Sequence, residues 1–412
     1  MSKIRVGCLG LGQRGGSMTK AIVNIFPERA EVAAVCDTYE DRTKDMADWI
    51  EEKTGKRPLE TCDAYEVINN PDIDAICIFT AWEWHIELAT AAMKAGKYVG
   101  LEVGGAYEVN DCFKLVDTYE KTKKHCMMLE NCCYGEKELM VMQLAAENAF
   151  GEIVHCEGGY CHDLRGEISS GMEIRHYRLR NYTHRCCDNY PTHQLGPIAK
   201  LLKINRGNRM LTLSSFASKA RGLKAYVKQK ADKYPYLQET EFNQGDIITT
   251  VIKCAGGETI VLTLDTTLPR LYSRNYSVRG TKGAYFENGD MLQLDSMGMN
   301  HETDSPKDIW GNAAKYREEH KHPLWKKYGE AAKKAGHGGM DYMVLSAFFE
   351  SIEKDAVPPI DTYDTAAWMV VTALSEQSIA LGGQPMPVPD FTRGQWMMRG
   401  DVKSDLEFSL DW

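Results

Sequence analysis

The chain has 412 residues, of which 26% are charged and 43% hydrophobic, and its formal net charge is −9 at pH 7. These values predict a globular protein with room for two domains, and the short basic stretches, such as residues 121–124, give no reason to expect a nucleic-acid partner. No apolar run approaches the roughly 20 residues needed to span a bilayer. No signal-peptide pattern precedes the first predicted strand, so we expect a cytoplasmic protein with no membrane partner.

The 13 cysteines favour reduced thiols over a disulfide framework. Their number is odd, and Cys8, Cys36 and Cys77 fall inside apolar runs. The adjacent pairs at 132–133 and 186–187 lack the two-residue gap of zinc and redox motifs, and the histidines between 162 and 193 lack metal-binding spacing. We therefore predict no metal site and interpret the cysteines as small buried side chains.

The first 130 residues alternate apolar runs with helical patterns, which predicts a doubly wound Rossmann-type domain with a parallel sheet. The predicted strands are residues 4–9, 31–36, 75–79, 98–101 and 125–129. Helices are predicted at 38–53 and 84–95, the second closed by Gly96. The fold class is thus α/β, with a dinucleotide-binding domain over 1–130 and a substrate-binding and catalytic domain over 131–412.

From about residue 151 the apolar residues alternate with period two, which predicts a large, mostly antiparallel open sheet with one covered face. The predicted strands are residues 152–162, 210–217, 246–253, 258–266 and 275–280. Helices predicted at 194–203, 341–353 and 365–381 are expected to cover that sheet. The polar segment 300–339, broken by Pro306 and Pro323, is expected to be a mobile loop or a lid.

A glycine-rich turn follows the first predicted strand at once, and a helix is predicted from near Ser17. Gly10 permits a tight turn, Gly12 lets the backbone approach a pyrophosphate, and Gly15 allows close packing of helix on strand. Asp37 closes the second strand, where a carboxylate accepts hydrogen bonds from a ribose diol and disfavours a 2′-phosphate. The pattern therefore predicts NAD as the cofactor, and a turn without a ligand is the alternative.

Two further stretches carry candidate chemistry. Trp82 and His85 follow the third predicted strand at the ligand edge of the sheet and either meet a cofactor or pack at a helix start. Pro191 is typical of a first helical turn, which predicts a helix from Tyr190 with Tyr190 and His193 on one face. A Tyr and a His at such a place are also common as capping or packing residues.

The order of these features resembles the superfamily of glucose-fructose oxidoreductase and inositol dehydrogenase, and several stretches resemble its glycoside hydrolase family 109, the NAD-dependent α-N-acetylgalactosaminidases. The matching stretches are residues 125–134, 158–165, 177–180, 189–197, 280–283 and 336–341. The dehydrogenases of the superfamily carry Glu-Lys-Pro after the fifth strand, whereas this chain reads Glu102-Val103-Gly104. The lysine that serves proton transfer in those dehydrogenases is therefore absent.

The resemblance implies a role for each matching residue. The implied cofactor contacts, besides the glycines, are Gln13, Arg14, Asp37, Trp82, His85, Glu102, Val103 and Asn131. The implied substrate contacts are Tyr160, Arg178, Tyr190, Pro191, Thr192, His193 and Tyr272, with Tyr276 as the alternative register for the last. The implied catalytic residues are Tyr190, His193, Tyr160 and Glu130.

The resemblance also implies a mechanism for hydrolysing a small glycoside. NAD+ is expected to oxidise C3 of the sugar transiently, so that C2 loses a proton, C1 loses its leaving group, water adds and the hydride returns. Tyr190 is expected to be the base, stabilised as an anion by a helix N-terminus, with His193 passing protons and Arg178 holding an anionic oxygen. The alternatives are an NAD-dependent sugar dehydrogenase, a glycosidase of the same mechanism with another sugar or anomer specificity, and a nucleotide-sensing protein without turnover. A homodimer formed through exposed sheet faces is also expected.

Overall fold

A computed structural model describes residues 3–299, 302–401 and 404–412. The chain forms two compact units, each discontinuous in sequence. The first comprises Met1–Asn131, Lys327–Ala367 and Lys403–Asp411, and the second comprises Cys132–Lys326, Trp368–Val402 and Trp412. The predicted boundary after residue 130 lies beside a division between the units, but a later part of the chain also belongs to the first unit.

The first unit is built on a parallel sheet. Its strands are β1 (Ile4–Leu9), β2 (Ala30–Cys36), β3 (Leu59–Thr61), β4 (Ala75–Ile78), β5 (Tyr98–Leu101) and β6 (Cys126–Met128). The strand order β3-β2-β1-β4-β5-β6 confirms the predicted Rossmann-type fold. The sequence pattern misses β3 because this strand is short and only half-buried, so it contains no apolar run.

Helices connect these strands. They are α1 (Gln13–Ile25), α2 (Glu40–Thr54), α3 (Ala64–Asn69), α4 (His85–Lys94) and α5 (Val109–Thr122). The prediction that the first helix starts near Ser17 is wrong. Helix α1 begins at Gln13 because Gly12, in an extended conformation, occupies the N-cap position, so the glycine turn itself ends in the first turn of the helix.

The second unit contains a larger sheet and several short helices. The strands are β7 (Ile153–Cys161), β8 (Met210–Ala217), β9 (Ile247–Cys254), β10 (Thr259–Asp265), β11 (Ser277–Gly280), β12 (Gly283–Phe286), β13 (Met291–Leu294) and β14 (Met386–Pro387). Their order is β13-β12-β11-β7-β10-β9-β8-β14, with β7 and β10 parallel and the other neighbours antiparallel. A mostly antiparallel sheet is therefore confirmed.

The remaining helices follow in chain order. They are α6 (Glu136–Ala146), α7 (Arg165–Ser169), α8 (Arg178–His184), α9 (Thr192–Leu201), α10 (Gly222–Gln229), α11 (Pro306–Ile309), α12 (Ala313–Glu319), α13 (Pro323–Ala332), α14 (Met340–Glu353) and α15 (Thr362–Ala380). The segment 300–339, expected to be a mobile loop or a lid, is largely helical over its described part, whereas Asn300 and His301 lie outside the described residues. Ser305 and Asp308 form a capping box that starts α11.

Helix α9 packs on the face of β7 that carries Gly158 and Tyr160. A Cβ atom added at Gly158 would lie 2.1 Å from Cγ of Gln194, so only a glycine permits this close approach. The opposite face of the same sheet is partly exposed, with Phe216 at 55% and Val251 at 41% exposure. The predicted one-sided burial of this sheet is thus observed.

Helix α14 was expected to cover the second sheet, and this expectation is wrong. It lies in the first unit, where a Cβ atom added at Gly100 in β5 would be 3.3 Å from the Phe348 ring. The mostly apolar sequence of α14 predicts a buried helix but does not identify which sheet it covers. None of the helices in the described part of the chain combines the length and apolar character needed to cross a bilayer.

Candidate active site

The glycine turn of the first unit has the geometry of a phosphate cradle. Gly10 adopts a left-handed conformation (φ 88°), and its N–H donates to the carbonyl of Cys36 at 2.7 Å. A Cβ atom at Gly15 would lie 1.9 Å from the Gly10 carbonyl oxygen. Both glycines are therefore required by the backbone, and the N-terminus of α1 presents its unpaired N–H groups at this turn.

Asp37 ties the end of β2 to this turn. Its Oδ2 accepts the backbone N–H of Leu11 at 2.7 Å, and its Oδ1 accepts that of Tyr39 at 3.0 Å. Arg42 lies 3.6 Å from Asp37 Oδ2, and its guanidinium stacks 4.8 Å from the centre of the Tyr39 ring. The turn, the helix N-terminus and this carboxylate together fit a dinucleotide.

Trp82 and His85 are both buried. Trp82 begins a short 3-10 turn, Trp82–Trp84, that leads into α4. His85 Nε2 is 3.0 Å from the carbonyl oxygen of Thr80, and burial lowers the pKa of His85 to about 4. A Cβ atom at Gly104 would lie 2.5 Å from the Trp82 ring and 3.2 Å from His85 Nδ1. Both side chains therefore pack against Gly104 with the imidazole neutral, and their predicted contact with the cofactor stays a prediction.

A polar network links four of the predicted cofactor residues. The Arg14 guanidinium donates to Glu102 at 2.9 Å and to both carboxylate oxygens of Asp341 at 2.8 and 3.0 Å. Asn131 donates to Asp341 at 2.7 Å, and the N–H of Val103 donates to Glu102 at 3.0 Å. The Asp341 carboxylate is thus shared by residues from the glycine turn and from the end of β6.

Asp341 was not predicted as a site residue. It lies in the first turn of α14 and also contacts His337 Nδ1 at 2.8 Å. Although burial opposes ionisation, the hydrogen bond from His337 and the charge of Arg14 hold the pKa of Asp341 well below its usual range. The stretch 336–341 was noted only as part of the family resemblance. The sequence therefore pointed to this stretch but gave no indication that Asp341 pairs with Arg14.

The two remaining predicted residues of the first unit lie in different environments. Gln13 is exposed at the start of α1. Glu130 follows β6 and is fully buried.

In the second unit, five of the predicted residues form one cluster, here called the aromatic–arginine cluster: Tyr160, Arg178, Tyr190, His193 and Tyr272. The Tyr160 ring lies 4.4 Å from that of Tyr190, 5.3 Å from that of His193 and 6.4 Å from that of Tyr272, between centroids. The Arg178 guanidinium lies 5.0 Å from the Tyr190 centroid and 6.0 Å from that of Tyr160. These separations match cation–π contacts.

The structure distinguishes the two registers for the tyrosine after β10. Tyr272 is 52% exposed and belongs to the cluster, whereas Tyr276 is 1% exposed. The Tyr276 ring packs 5.8 Å from that of Tyr285 in the core. Tyr272 is therefore the residue available to a ligand.

The start of α9 differs from the prediction. The helix begins at Thr192 with Pro191 in the N-cap position, so Tyr190 precedes the helix. The Tyr190 and His193 rings still meet at 4.8 Å, and Tyr190 lies beside the helix N-terminus. The Thr192 hydroxyl is buried and has no hydrogen-bond partner in the described residues, which leaves it able to bond a ligand.

Burial dominates the electrostatics of the cluster. Burial raises the pKa of Tyr160 to about 12, although the nearby charge of Arg178 works against this shift, so the phenol is protonated at neutral pH. Burial disfavours the charge of Arg178, but Tyr160, Tyr177 and Glu167 raise the pKa of Arg178 above its usual range. Arg178 is thus a fixed positive charge, and its Nε lies 3.1 Å from Glu167 Oε1.

Two polar residues, half-buried Glu167 and buried Asp188, support the cluster and were not predicted. Glu167, on α7, holds Arg178. Asp188 accepts the backbone N–H of Tyr190 and the hydroxyl of Thr250 at 3.3 Å, so it fixes the chain just before α9. The sequence offers no local signal for either residue, because their partners are distant or belong to the backbone.

Two protein-family models match this chain, one over its N-terminal part and one over its C-terminal part. Residues 4–130 match the model of an oxidoreductase family with an NAD-binding Rossmann fold, and residues 134–398 match the glycosyl hydrolase 109 C-terminal domain. Levoglucosan dehydrogenase, solved in complex with NADH and L-sorbose, superposes with a TM-score of 0.69 at 18% identity, over 95% of this chain and all of that one. An NAD-binding oxidoreductase from Klebsiella pneumoniae gives a TM-score of 0.67 at 15% identity, over 94% of this chain and 99% of that one. At these identities the structural likeness shows the fold.

Sequence relatives define the family. The α-N-acetylgalactosaminidase of Tannerella forsythia is 37% identical, over 96% of this chain and 88% of that protein. A glycosyl hydrolase family 109 protein of Solibacter usitatus is 36% identical, over 97% of this chain and 90% of that protein. Because the likeness extends over nearly the whole chain and both family models match in order, this protein belongs to glycosyl hydrolase family 109.

Proposed function

We propose that this glycoside hydrolase is an NAD-dependent α-N-acetylgalactosaminidase that uses and regenerates its dinucleotide within each turnover. The sugar and its anomer follow the name of the Tannerella forsythia relative. The dinucleotide follows from the Rossmann-type unit and its glycine turn. The missing lysine after β5 argues against an ordinary sugar dehydrogenase.

The proposal rests on the composition of the aromatic–arginine cluster, which consists of tyrosine, histidine and arginine side chains. Ordinary retaining and inverting glycosidases use two carboxylates that flank the scissile bond. Here two of the neighbouring carboxylates are each held by an arginine: Asp163 lies 2.6 Å from Arg165, and Glu167 lies 3.1 Å from Arg178. Tyrosine and histidine groups that transfer protons, beside a fixed cation, suit an elimination and addition at the sugar better than a direct displacement.

The first unit supports NAD over NADP. Asp37 places its carboxylate next to the glycine turn, and Arg42 lies 3.6 Å from that carboxylate. Part of the positive charge of Arg42 is therefore already neutralised by Asp37. A ribose diol would bond Asp37, whereas a 2′-phosphate would meet the carboxylate first. When bound, the nicotinamide supplies reversible hydride acceptance, which makes a neighbouring C–H of the sugar acidic while the ring is oxidised.

The chain's own residues then handle protons and charge. Tyr190 precedes the N-terminus of α9, which stabilises an anion there, so it is the preferred base for the C2 proton. His193, with its ring 4.8 Å from that of Tyr190, passes protons near neutral pH. Arg178 holds the anionic oxygen, and Thr192 and Tyr272 orient the sugar. Tyr160 exchanges a hydroxyl proton, and Glu130 is proposed as a further acid or base.

The test uses purified full-length protein with p-nitrophenyl α-N-acetylgalactosaminide, with and without added NAD+. Expected results are NAD+-dependent release of p-nitrophenol without net accumulation of NADH, and loss of C2 deuterium from a labelled substrate into water. Stoichiometric NADH formation from the free sugar would instead indicate a dehydrogenase. Full activity of nucleotide-free protein would refute the proposal.

The partner and compartment proposals rest on separate features. The partly exposed face of β8 and β9, which includes Phe216 and Val251, supports a homodimer, to be measured by light scattering of wild type and Phe216→Lys.

Buried thiols such as Cys8, Cys36 and Cys77 support a reducing, cytoplasmic location, to be measured by cell fractionation. Neither expectation depends on the identity of the sugar.

A further inference from the structure

A second histidine contacts the aromatic–arginine cluster and has no role in the proposed function. His162 follows β7 directly, two residues after Tyr160, so both side chains leave the strand on the same side. The Tyr160 hydroxyl lies 3.1 Å from Nδ1 of His162, which is its sole hydrogen-bond partner among the described residues. The two rings meet edge to face at 5.7 Å, and the His162 ring lies 5.2 Å from that of Tyr272.

The two members of this hydrogen bond differ in their exposure. Tyr160 is buried, with 8% of its surface exposed, whereas His162 is only half-buried. A proton taken up by the Tyr160 oxygen therefore has little access to bulk water, whereas a proton on the half-buried His162 ring has more. The hydrogen bond thus joins a buried residue, Tyr160, to a residue that solvent can reach, His162.

The charged and titratable groups around His162 come from several elements. Burial lowers the pKa of His162, with Arg178 on α8 and His193 on α9 acting in the same direction, while Glu167 on α7 and the adjacent Asp163 act in the opposite direction. The imidazole is therefore neutral near pH 7.

We propose that Tyr160 and His162 form a proton relay between a sugar hydroxyl and solvent, an inference that rests on the proposed function. The relay uses the Nε2–H tautomer of the neutral imidazole, in which the protonated phenol of Tyr160 donates and Nδ1 accepts across the 3.1 Å contact. The sugar O–H bond breaks as its proton bonds to the Tyr160 oxygen, and the phenol proton bonds to His162 Nδ1 at the same time. Tyrosine stays neutral throughout, and the imidazolium releases a proton from Nε2 to water. The electron pair left on the sugar oxygen enters the C–O bond in the oxidation already required, and the steps reverse on reduction.

In this scheme His162 acts through Tyr160 and is a positioning and relay residue. A proton-transfer role is commonly worth ~100-fold or more in rate. We therefore expect His162→Gln to lower kcat by ~100-fold while KM and the Kd for NAD+ stay close to wild type. The acidic limb of the kcat–pH profile should also move, because a neutral His162 is needed to accept the proton.

Three comparisons separate the relay from a purely structural role. The matched control, His184→Gln, changes an exposed histidine of the same unit and should leave kcat and the pH profile unchanged. Imidazole in solution should restore part of the activity of His162→Ala. The double variant Tyr160→Phe/His162→Gln should be no slower than Tyr160→Phe alone, because either change breaks the same relay.

The relay is overturned if His162→Gln leaves kcat and the acidic limb unchanged, or if the two substitutions reduce the rate independently. A readout without substrate separates this failure from that of the proposed function. Tyr160→Phe removes a donor that stabilises the neutral imidazole, so the pKa of His162, followed by NMR, should rise. A wild type that does not cleave the glycoside refutes the proposed function, whereas an unchanged pKa of His162 refutes the relay.

Discussion

At the residue scale, the polar groups that matter most for the first site were the hardest to predict. Asp341 bonds Arg14 across 327 positions of sequence, and no local pattern indicates such a pair. Its neighbours Arg14, Glu102 and Asn131 were identified only through the family resemblance. Sequence reasoning found the residues that a relative shares and missed the carboxylate that holds them together.

Replacing Asp341 with asparagine should weaken dinucleotide binding and stability together. Losing the charge-assisted hydrogen bonds to Arg14 should cost ~2 kcal/mol of the free energy of unfolding and raise the Kd for NAD+ ~10-fold, since Arg14 loses its anchor. Isothermal titration and urea denaturation measure both effects, with exposed Asp232→Asn as the control. An unchanged Kd would show that Asp341 does not position Arg14.

The same carboxylate predicts a pH dependence. Because the pKa of Asp341 is lower in the folded state than its usual value of ~3.9, its contribution to stability is complete above that value and is lost as the pH falls through the folded pKa. The stability difference between wild type and Asp341→Asn should therefore be constant near neutral pH and should shrink in acid. A difference that grows below pH ~4 would contradict this sign.

Asp188 predicts the opposite dependence. Burial raises the pKa of Asp188 to about 7, so the folded state binds more protons than the unfolded state between pH ~4 and ~7. Stability should fall as pH rises through this range, by at most ~4 kcal/mol from this group. Asp188→Asn should flatten the curve measured by chemical denaturation, and an equally steep curve would refute the assignment.

At the element scale, strands were more predictable than helix boundaries. Largely buried strands such as β1, β4 and β5 are mostly apolar, and their bounds agree with the predicted ones within one residue. Half-buried β3 left no such pattern. The starts of α1 and α9 were misplaced because Gly12 and Pro191 act as N-caps, and a cap depends on backbone angles that composition does not reveal.

The packing of α1 on β1 gives a test with an internal control. Gly15→Ala would place a methyl group 1.9 Å from the Gly10 carbonyl oxygen, whereas Gly16→Ala, one residue on, would approach Leu11 only to 3.4 Å. We expect Gly15→Ala to lose ~2 kcal/mol or more along with NAD+ binding. Gly16→Ala should keep binding and gain up to ~1 kcal/mol of helix propensity. Thermal melts and titrations that give equal results for the two variants would contradict this account.

At the scale of the whole molecule, the fold class and the family were accessible from sequence, but the assignment of segments to units was not. The predicted division at residue 130 treats each domain as continuous, whereas residues 327–367 belong with the Rossmann-type sheet. The sequence of an apolar helix such as α14 does not indicate which sheet the helix covers. Only packing, as of Phe348 against Gly100, reveals the assignment.

The late position of Asp341 in the chain bears on how the protein is made. Synthesis proceeds from the N-terminus, and nascent domains begin to fold as they emerge, so strands β1–β6 leave the ribosome long before α14 exists. Until then Arg14 lacks the carboxylate that anchors it. The growing polypeptide therefore acquires a complete dinucleotide cradle only once α14 has been synthesised, and an N-terminal fragment cut before residue 341 should form the sheet yet hold its nucleotide poorly.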